Sequence, residues 1–505
     1  MSELDDQIQN RRDKRAALLA AGVEPYPRRY AYDAEPADVR RQFEPATAED
    51  LEAAAHRLRV PGRVRGVRRH GKICFLDLGD GRDRLQAMLR IPQLPEAAGQ
   101  VLEQVDLGDL VGVEGLVGRS RTGELTLFAE DLVLLAKALR PLPEKWHGLS
   151  DVEARYRQRY LDLIANPESR KVFETRAALV QGIRDVLNRH GFLEVETPMM
   201  HVLPGGASAR PFVTHHNTLD LELYLRIAPE LFLKRLLVGG LHRVYEINRN
   251  FRNEGISTHH NPEFTMLEFY WAYSDYEQLM DFTEAMLTEL AERITGGVEL
   301  PWRGGTLSLA RPWRRLSMRQ ALAEVAGVAP ERLEDEAGLR AEFAARKLPL
   351  PVGQPRYGHL LMALFEETVE ASLMQPTFVY DYPVDVSPLA KQSGDDARFT
   401  ERFELYMAGM ELANAFTELN DPEVQAERFR QQLAARQGGD DEAHLFDEDY
   451  VRALEHGMPP AGGEGIGIDR LTMLFTDCQS IRDVILFPLL RPERAEPAAS
   501  GGEGE

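Results

Sequence analysis

Residues 244–270 (VYEINRNFRNEGISTHHNPEFTMLEFY) gather many groups that could do chemistry into a short length. Tyr245, Ile247 and Arg249 alternate with Glu246 and Asn248, the period of a strand. EGISTHHNPE is a turn-rich loop, and FTMLEFY returns as a second strand. Arg252 and Glu254 then lie at one lip of a hairpin, with His260, Asn261 and Phe264 at the other. A guanidinium fork binds phosphate or carboxylate through two parallel hydrogen bonds. A phenylalanine on the same hairpin offers a face on which a purine can stack. The plain alternative is a polar hairpin with a surface ion pair, and the density of functional groups argues against it.

Three glutamates, Glu404, Glu411 and Glu418, recur at spacing seven in ERFELYMAGMELANAFTELND. A single helix would put all three on one face, but Gly409, Phe403, Tyr406 and Phe416 favour two strands. A hairpin centred between Met407 and Ala408 would set Glu404 opposite Glu411. Paired carboxylates repel unless a cation lies between them, and hard oxygen donors suit Mg²⁺ beside substrate phosphates. Asn414, Phe416 and Glu418 share strand parity and Glu411 does not, so a bulge or an edge position has to reconcile them. Solvent-facing glutamates are the alternative.

GEGIGIDRLTMLF at 463–475 reads as a glycine-rich strand running into a helix. Glycines such as Gly465 let a ligand approach the backbone closely, and Arg470 at the helix start would reach a phosphate. It is not a dinucleotide fingerprint, since G-x-G-x-x-G is absent. Residues 66–73 (GVRRHGKI) miss a P-loop by lacking the final Ser/Thr and by preceding a strand.

The elements that must position these groups follow from composition and texture. The chain has 505 residues, 43% apolar and 28% charged, and a net charge of −21. This is the composition of a soluble globular enzyme and excludes disordered and collagen-like chains. No run approaches a membrane span, MSELDDQIQN is no secretory signal, and Cys74 and Cys478 form no disulfide or metal framework. A cytoplasmic location is expected. Residues 1–55 are charged and Ala-rich, with helical periodicity over 13–19 and 48–58. From 56 to 140 short strands alternate with glycine turns, the texture of a five-stranded OB β-barrel. Between 61 and 90 eight basic residues oppose three acids, a local +5. Such an island can direct a polyanion, or it can be a solvated strand surface. Phe75 and Gln86 fall on adjacent strands and could supply a stacking ring and a base-edge amide, core packing being the alternative for Phe75. Residues 141–150 read as a linker and 493–505 as a disordered tail. Residues 151–492 alternate helices and strands, with a helical insertion at about 275–350.

In order, these segments resemble the three signature motifs of the class II aminoacyl-tRNA synthetases. A helix over 172–190 with GFLEVETPMM resembles motif 1, the dimer element. The Arg252 hairpin resembles motif 2, and GIGIDR motif 3. PGGASARPF, YLRIAPELFLKRL, NFRNEGIS, HNPEF, NAFTELND and GDDEA resemble the bacterial-type lysyl-tRNA synthetases over residues 1–490. The resemblance implies an α+β chain: an OB anticodon-binding barrel, then a catalytic domain on an antiparallel sheet flanked by helices. It implies a homodimer acting on L-lysine, ATP and tRNA(Lys), with Mg²⁺ and with no role for membrane or DNA.

Carried over by resemblance, Arg252 and Arg470 are catalytic. Arg252 would grip the α-phosphate and the lysine carboxylate, and Arg470 would lie over adenine towards the γ-phosphate. Phe264 would stack beneath adenine, while Glu254, His260, Asn261, Glu411 and Gly465 complete the ATP site. Glu404 and Glu411 would hold Mg²⁺. Gly206 and Glu230 would receive the α-amino group, and Asn414 the carboxylate. Glu418 and Tyr270 would receive the ε-ammonium, with Glu268 and Phe416 lining the pocket. Phe75, Gln86 and Asp131 would read the anticodon. The residue types agree independently: a desolvated ammonium needs carboxylates, and Glu230, Glu268 and Glu418 supply them.

Some positions depart from the family pattern. Glu464 stands among the motif 3 glycines where an apolar residue is common. His259 stands where Arg is frequent, and Asp131 where Glu is usual. Two rival readings remain open: an enzyme that lysylates protein, which would lack the barrel, and a catalytically dead RNA-binding paralogue, which would lose Arg252, Glu411 or Arg470.

Overall fold

The computed structural model describes residues 3–142, 149–351, 353, 355–437 and 445–492. Most of the expected linker (143–148), the GDDEA segment and the tail from 493 lie outside the described residues. The chain divides into two compact units, Met1–Lys171 and Val172–Glu505.

In the first unit, burial alternates with period two. Cys74, Leu76 and Leu78, and Leu85, Ala87 and Leu89, are inaccessible, while Phe75, Asp77, Gln86 and Met88 turn outward. Alternation of this kind buries one face of each strand, and closing the sheet removes its edges. Strands β1 (Arg57–His70), β2 (Ile73–Gly79), β3 (Arg84–Arg90), β4 (Leu110–Arg119) and β5 (Leu125–Ala136) close in the order β1-β2-β3-β5-β4. This is the five-stranded OB barrel expected. β1 pairs with β4 along its first half and with β2 along its second, with a shift between Val64 and Gly66. A Cβ on Gly66 would run into the Asp77 carboxylate, so this glycine serves the barrel bend. The helix expected over 48–58 stops at Ala54, because Ala55 turns left-handed (φ 47°) and Arg57 opens β1. The basic island is largely consumed by the fold. Arg63, Arg65 and Arg69 donate to the carbonyls of Gly108, Ile164 and Leu102, and Arg82 pairs with Glu35.

The second unit is built on an eight-stranded, mostly antiparallel sheet. Its strands are β6 (Leu193–Glu194), β7 (Arg243–Phe251), β8 (Glu263–Ala272), β9 (Arg314–Ser317), β10 (Thr377–Pro383), β11 (Phe399–Met407), β12 (Met410–Thr417) and β13 (Ala461–Gly467). They run in the order β9-β10-β11-β12-β13-β8-β7-β6. Helices α1 (Pro167–Arg189), α2 (Glu230–Val238), α3 (Tyr276–Thr295), α4 (Glu448–Glu455) and α5 (Ile468–Thr476) matter below. The main core joins Leu179, Ile183 and Leu187 of α1, Leu279, Leu287 and Leu290 of α3, and Phe269, Phe403, Ala415 and Ile466 of the sheet. Residues 275–350, expected as a helical insertion, thus contribute a core helix, the hairpin Glu299–Ser308 and the edge strand β9. The later part of this stretch is helical over Met318–Glu324 and again over Glu336–Arg346, with Pro330 opening a short 3₁₀ turn between them.

Candidate active site

Strand pairing assembles the site as two rows across the sheet. One row pairs Glu246, Glu268, Gly465, Asn414 and Glu404. The next pairs Val244, Tyr270, Gly463, Phe416 and Arg402. Directly paired residues present their side chains on the same face. Residues far apart in the chain, expected to share a pocket, therefore lie side by side.

The hairpin of β11 and β12 corrects the expected register. Its turn lies at Ala408-Gly409, both with positive φ (57° and 71°), with Met407 opposite Met410. Glu404 consequently faces Asn414, not Glu411. Tyr406 faces Glu411, and Leu412 is the extra residue of a bulge. The bulge flips the alternation once, so Glu411 returns to the face of Asn414 and Phe416.

The amino-acid end of the site is buried. Gly206, in a left-handed conformation (φ 87°), lies against Glu230, where a Cβ would meet the Glu230 Cβ at 3.0 Å. Glu230, Glu268 and Glu418 are 6%, 6% and 0% exposed. Burial, reinforced by the Glu230 charge, pushes Glu268 up to about 8. Burial does the same to Glu418, against the pull of Lys234. Tyr270 donates to Glu268 Oε2 at 3.2 Å. Glu418 Oε1 is buried with no hydrogen-bond partner. Gly463 was missed by sequence reasoning: a Cβ there would collide with Glu418 Oε1 and the Tyr270 ring. Its repeated glycines were the available signal. Arg402 was also missed. Largely buried, it donates to Asn414 Oδ1 at 3.0 Å and to Glu404 Oε1 at 2.5 Å. The Asn414 amide is thereby turned so that its N–H₂ is free to donate.

The nucleotide end is more open. The Arg252 guanidinium stands 5.1 Å from the Phe264 ring centre, and its buried Nε has no partner. Arg470 donates to the Glu411 carbonyl at 2.6 Å, and its Nη2 lies 3.2 Å from His260 Nε2. Burial and then Arg470 push His260 down. A neutral ring accepting at Nε2 places its proton on Nδ1, 2.9 Å from Ser257 Oγ. Asn261 is buried, with Nδ2 donating to the Glu263 carbonyl at 2.5 Å and Oδ1 unpartnered. Glu254 is exposed. Asp469 ties α5 to β8, accepting from the Thr265 amide at 2.7 Å and from Arg176 at 2.6 Å.

Glu404 accepts from Tyr382 at 2.9 Å and Tyr406 at 2.5 Å besides Arg402. Burial and the Glu411 charge raise it. Glu366 and Glu370, unnoticed in the sequence, add to this field, and Glu370 is pushed up to about 7 by burial and then Glu411.

Glu464 pairs with Phe269 and Ala415, whose side chains belong to the core face of the sheet. It therefore points away from the site, to Thr283 of α3, whose hydroxyl donates to Oε2 at 2.5 Å. Burial pushes Glu464 up to about 8. A folded pKa above the unfolded value adds stability at low pH, which is lost as pH rises from about 4.5 through 8. At 1.36 kcal/mol per unit, the loss is about 2 kcal/mol by pH 6 and about 5 kcal/mol above pH 8. Glu464→Gln should therefore unfold at higher temperature than the parent, by a margin that widens from pH 6 to pH 9. A margin independent of pH would refute this.

On the barrel, Phe75 and Gln86 share one outward face. Arg68 joins them, donating to Gln86 Oε1 at 3.1 Å and to Asp77 at 2.8 Å, with its guanidinium 6.0 Å from the Phe75 ring centre. Gln86 donates to Thr126 at 2.8 Å, and Met88 brings Phe128 alongside. Asp131 lies beyond the last residue of β5 paired to β3, opposite Glu114. The structure does not bring it to Phe75 and Gln86.

A mixed sheet with an arginine hairpin, a hairpin carrying Glu404 and Glu411, and a glycine strand leading to Arg470 defines a class II synthetase catalytic unit. The chain belongs to the family described as tRNA synthetases class II (D, K and N), which matches residues 151–491, and residues 58–135 match the OB-fold nucleic acid binding domain. Within that family it is similar to lysine–tRNA ligases. That of Carboxydothermus hydrogenoformans is 52% identical over 97% of this chain and 99% of the relative. That of Xylella fastidiosa (strain M23) is 52% identical over 96% and 97%, and that of Aeromonas hydrophila subsp. hydrophila 52% over 97% and 97%. Among the described residues no helix is long and apolar enough to cross a membrane.

Proposed function

We infer that this chain is a lysine–tRNA ligase. It activates L-lysine with ATP to lysyl-adenylate and transfers the lysyl group to the 3′ end of tRNA(Lys), releasing pyrophosphate and AMP. The observation that carries the amino-acid choice is the fully buried Glu418, whose Oε1 has no partner and sits beside Tyr270. An ammonium is the group that satisfies it.

In the first step a lysine carboxylate oxygen attacks the α-phosphorus and the bond to the β-phosphate oxygen breaks. The nucleophile is already ionised, so positioning and electrostatics carry the step. Arg252 binds both the carboxylate and the α-phosphate, and Asn414 donates to the carboxylate. Phe264 and Arg470 sandwich adenine, with Glu254, His260, Asn261 and the Gly465 backbone around the nucleotide. Gly206 and Glu230 take the α-ammonium. Glu418 and Tyr270 take the ε-ammonium, with Glu268 and Phe416 beside them.

Glu404 and Glu411 fit Mg²⁺ as hard donors. Glu411 is 41% exposed with its Oε2 3.5 Å from Arg470, while Glu404 is already engaged by Arg402 and two tyrosines. Mg²⁺ needs only one or two carboxylates alongside phosphates. When bound, it would neutralise charge on the departing pyrophosphate.

The Phe75, Gln86 and Arg68 face would take the anticodon. Asp131 is a weaker candidate, given its place opposite Glu114. Leu193, Met200 and Val202 follow α1 and are each more than half exposed, and they would be covered in a homodimer. The setting proposed is cytoplasmic.

The test is ATP–pyrophosphate exchange across all twenty amino acids, followed by tRNA charging. Exchange with lysine and charging of tRNA(Lys) are expected. Exchange with aspartate or asparagine would overturn the pocket reading, and exchange without tRNA charging would favour the protein-lysylating rival. Phe75→Ala should lower kcat/KM for tRNA about 10- to 100-fold, the worth of one stacked base. Exchange should not change, and an equal fall in both would refute the anticodon face.

A further inference from the structure

The pocket contains an ammonium of its own. Lys234 follows Glu230 by one helical turn on α2 and is fully buried. Its Nζ lies 2.5 Å from Glu230 Oε1 and directly against Glu418 Oε2. Phe416 of β12 and Tyr450 of α4 flank it, with ring centres 5.1 and 6.0 Å away. Glu268 and Tyr270 of β8 and Arg402 of β11 complete the charged and titratable groups around the two glutamates. Burial opposes the Lys234 charge, but Glu230, Glu418 and Tyr450 outweigh it and hold the ammonium above its ordinary range.

Glu230, Glu268 and Glu418 are three buried carboxyl groups facing one resident ammonium. Arg402, Arg226 and Arg252 also act on these carboxyls from around the pocket, and Glu418 Oε1, buried without a hydrogen-bond partner, is the oxygen left for an incoming ammonium. An amino acid with a neutral side chain leaves that oxygen unmatched, which is costly. Lys234 meets Glu230 through Oε1 and Glu418 through Oε2, and Glu418 Oε1 has no hydrogen-bond partner.

We propose that Lys234 is a positioning residue for the amino acid. Its ammonium orients Glu230 and Glu418 by one oxygen each and favours their charged forms, leaving Glu418 Oε1 for the ε-ammonium of the substrate. The inference rests on reading this pocket as the lysine site. Lys234 need not touch the substrate, because it acts through Glu418 and Glu230. Without it, burial and the neighbouring glutamates act on Glu418 unopposed. The carboxyl then stays protonated to higher pH, and the ε-ammonium must displace that proton in order to bind.

The experiment measures kcat and KM for lysine by ATP–pyrophosphate exchange between pH 6 and 9.5, for the parent and Lys234→Met. KM at pH 7 should rise at least about tenfold and recover as pH increases. The acid limb of kcat/KM should move up by about one unit, a tenfold change in KM corresponding to one unit of pKa. At saturating lysine, kcat should stay within a few-fold. A purely structural lysine would lower activity equally at every pH, leaving the limb in place, and that result overturns the inference. Lys234→Gln, which keeps a polar group of similar reach, is measured if the methionine variant does not fold, with the same alkaline move expected. If neither neutral variant folds, the lysine is a structural strut and the inference is overturned. A parent without lysine-dependent exchange would instead refute the assignment of the pocket itself.

Discussion

Arg252→Ala is expected to lower kcat for lysine-dependent exchange by about 10³-fold, the scale of removing a donor aimed at developing charge. The reason lies in how uncommitted this cation is. No ion pair among the described residues engages Arg252, and its buried Nε has no partner. Its guanidinium is held over Phe264, 5.1 Å from the ring centre. The backbone is fixed by the Arg252 amide donating to the Pro262 carbonyl at 2.9 Å. The protein has therefore placed a partly buried positive charge where no side chain among the described residues pairs with it, and the reaction supplies a carboxylate and a phosphate. Arg252→Lys keeps the charge and loses the fork, so it should fall between the parent and the alanine variant. Thermal unfolding should hardly change, since no buried acid loses its partner. An alanine variant within tenfold of the parent would remove Arg252 from the reaction.

Glu418→Gln should reduce kcat/KM for lysine by about 10³-fold, chiefly through KM. Breaking a buried ion pair by removing one partner costs about 3–5 kcal/mol, and about 4 kcal/mol is a thousandfold in binding. Glutamine has nearly the same shape but offers the ε-ammonium no charge, and it leaves Lys234 with Glu230 alone. The parent's pH profile follows from the same groups. Glu268 and Glu418 are both held up to about 8 by burial. Below that pH they carry protons that the incoming ε-ammonium must displace, so kcat/KM for lysine should rise with pH and level off above about 8. In Glu418→Gln that rise should become shallower, because one of the two titrating carboxyls is gone. A variant whose KM stays within tenfold of the parent would show that the ε-ammonium is recognised elsewhere.

Much of the site is legible in the amino-acid sequence, because strand alternation is written in adjacent residues. Asn414, Phe416 and Glu418 share parity, and so do Phe264, Glu268 and Tyr270, so each set belongs on one face. The need for a bulge near Glu411 follows from the same parity. Which residue bulges is not legible, because that depends on the turn. Ala408-Gly409 takes the two left-handed positions, so the hairpin centre moves one residue and Glu404 meets Asn414. Arg402 and Lys234 escape notice for a related reason. Each looks like an ordinary cation on a strand or a helix, and only packing shows that Lys234 is buried among the glutamates of the site and that Arg402 is largely covered beside Glu404. The +5 island misleads in the opposite direction: three of its arginines are spent on carbonyls of the fold.

The amino-acid sequence by itself determined the kinds of chemistry and the faces that carry them: the arginine hairpin, the three pocket glutamates, the glycine strand and the barrel. These depend on residue type and on a period of two, both local properties of the chain. The tertiary structure alone decided who stands opposite whom. It set Glu268, Gly465, Asn414 and Glu404 in one row, turned Glu464 into the core towards Thr283, and placed the Lys234 ammonium between Glu230 and Glu418. Register across strands and burial of charge are settled by partners distant in the chain, and no local pattern encodes them.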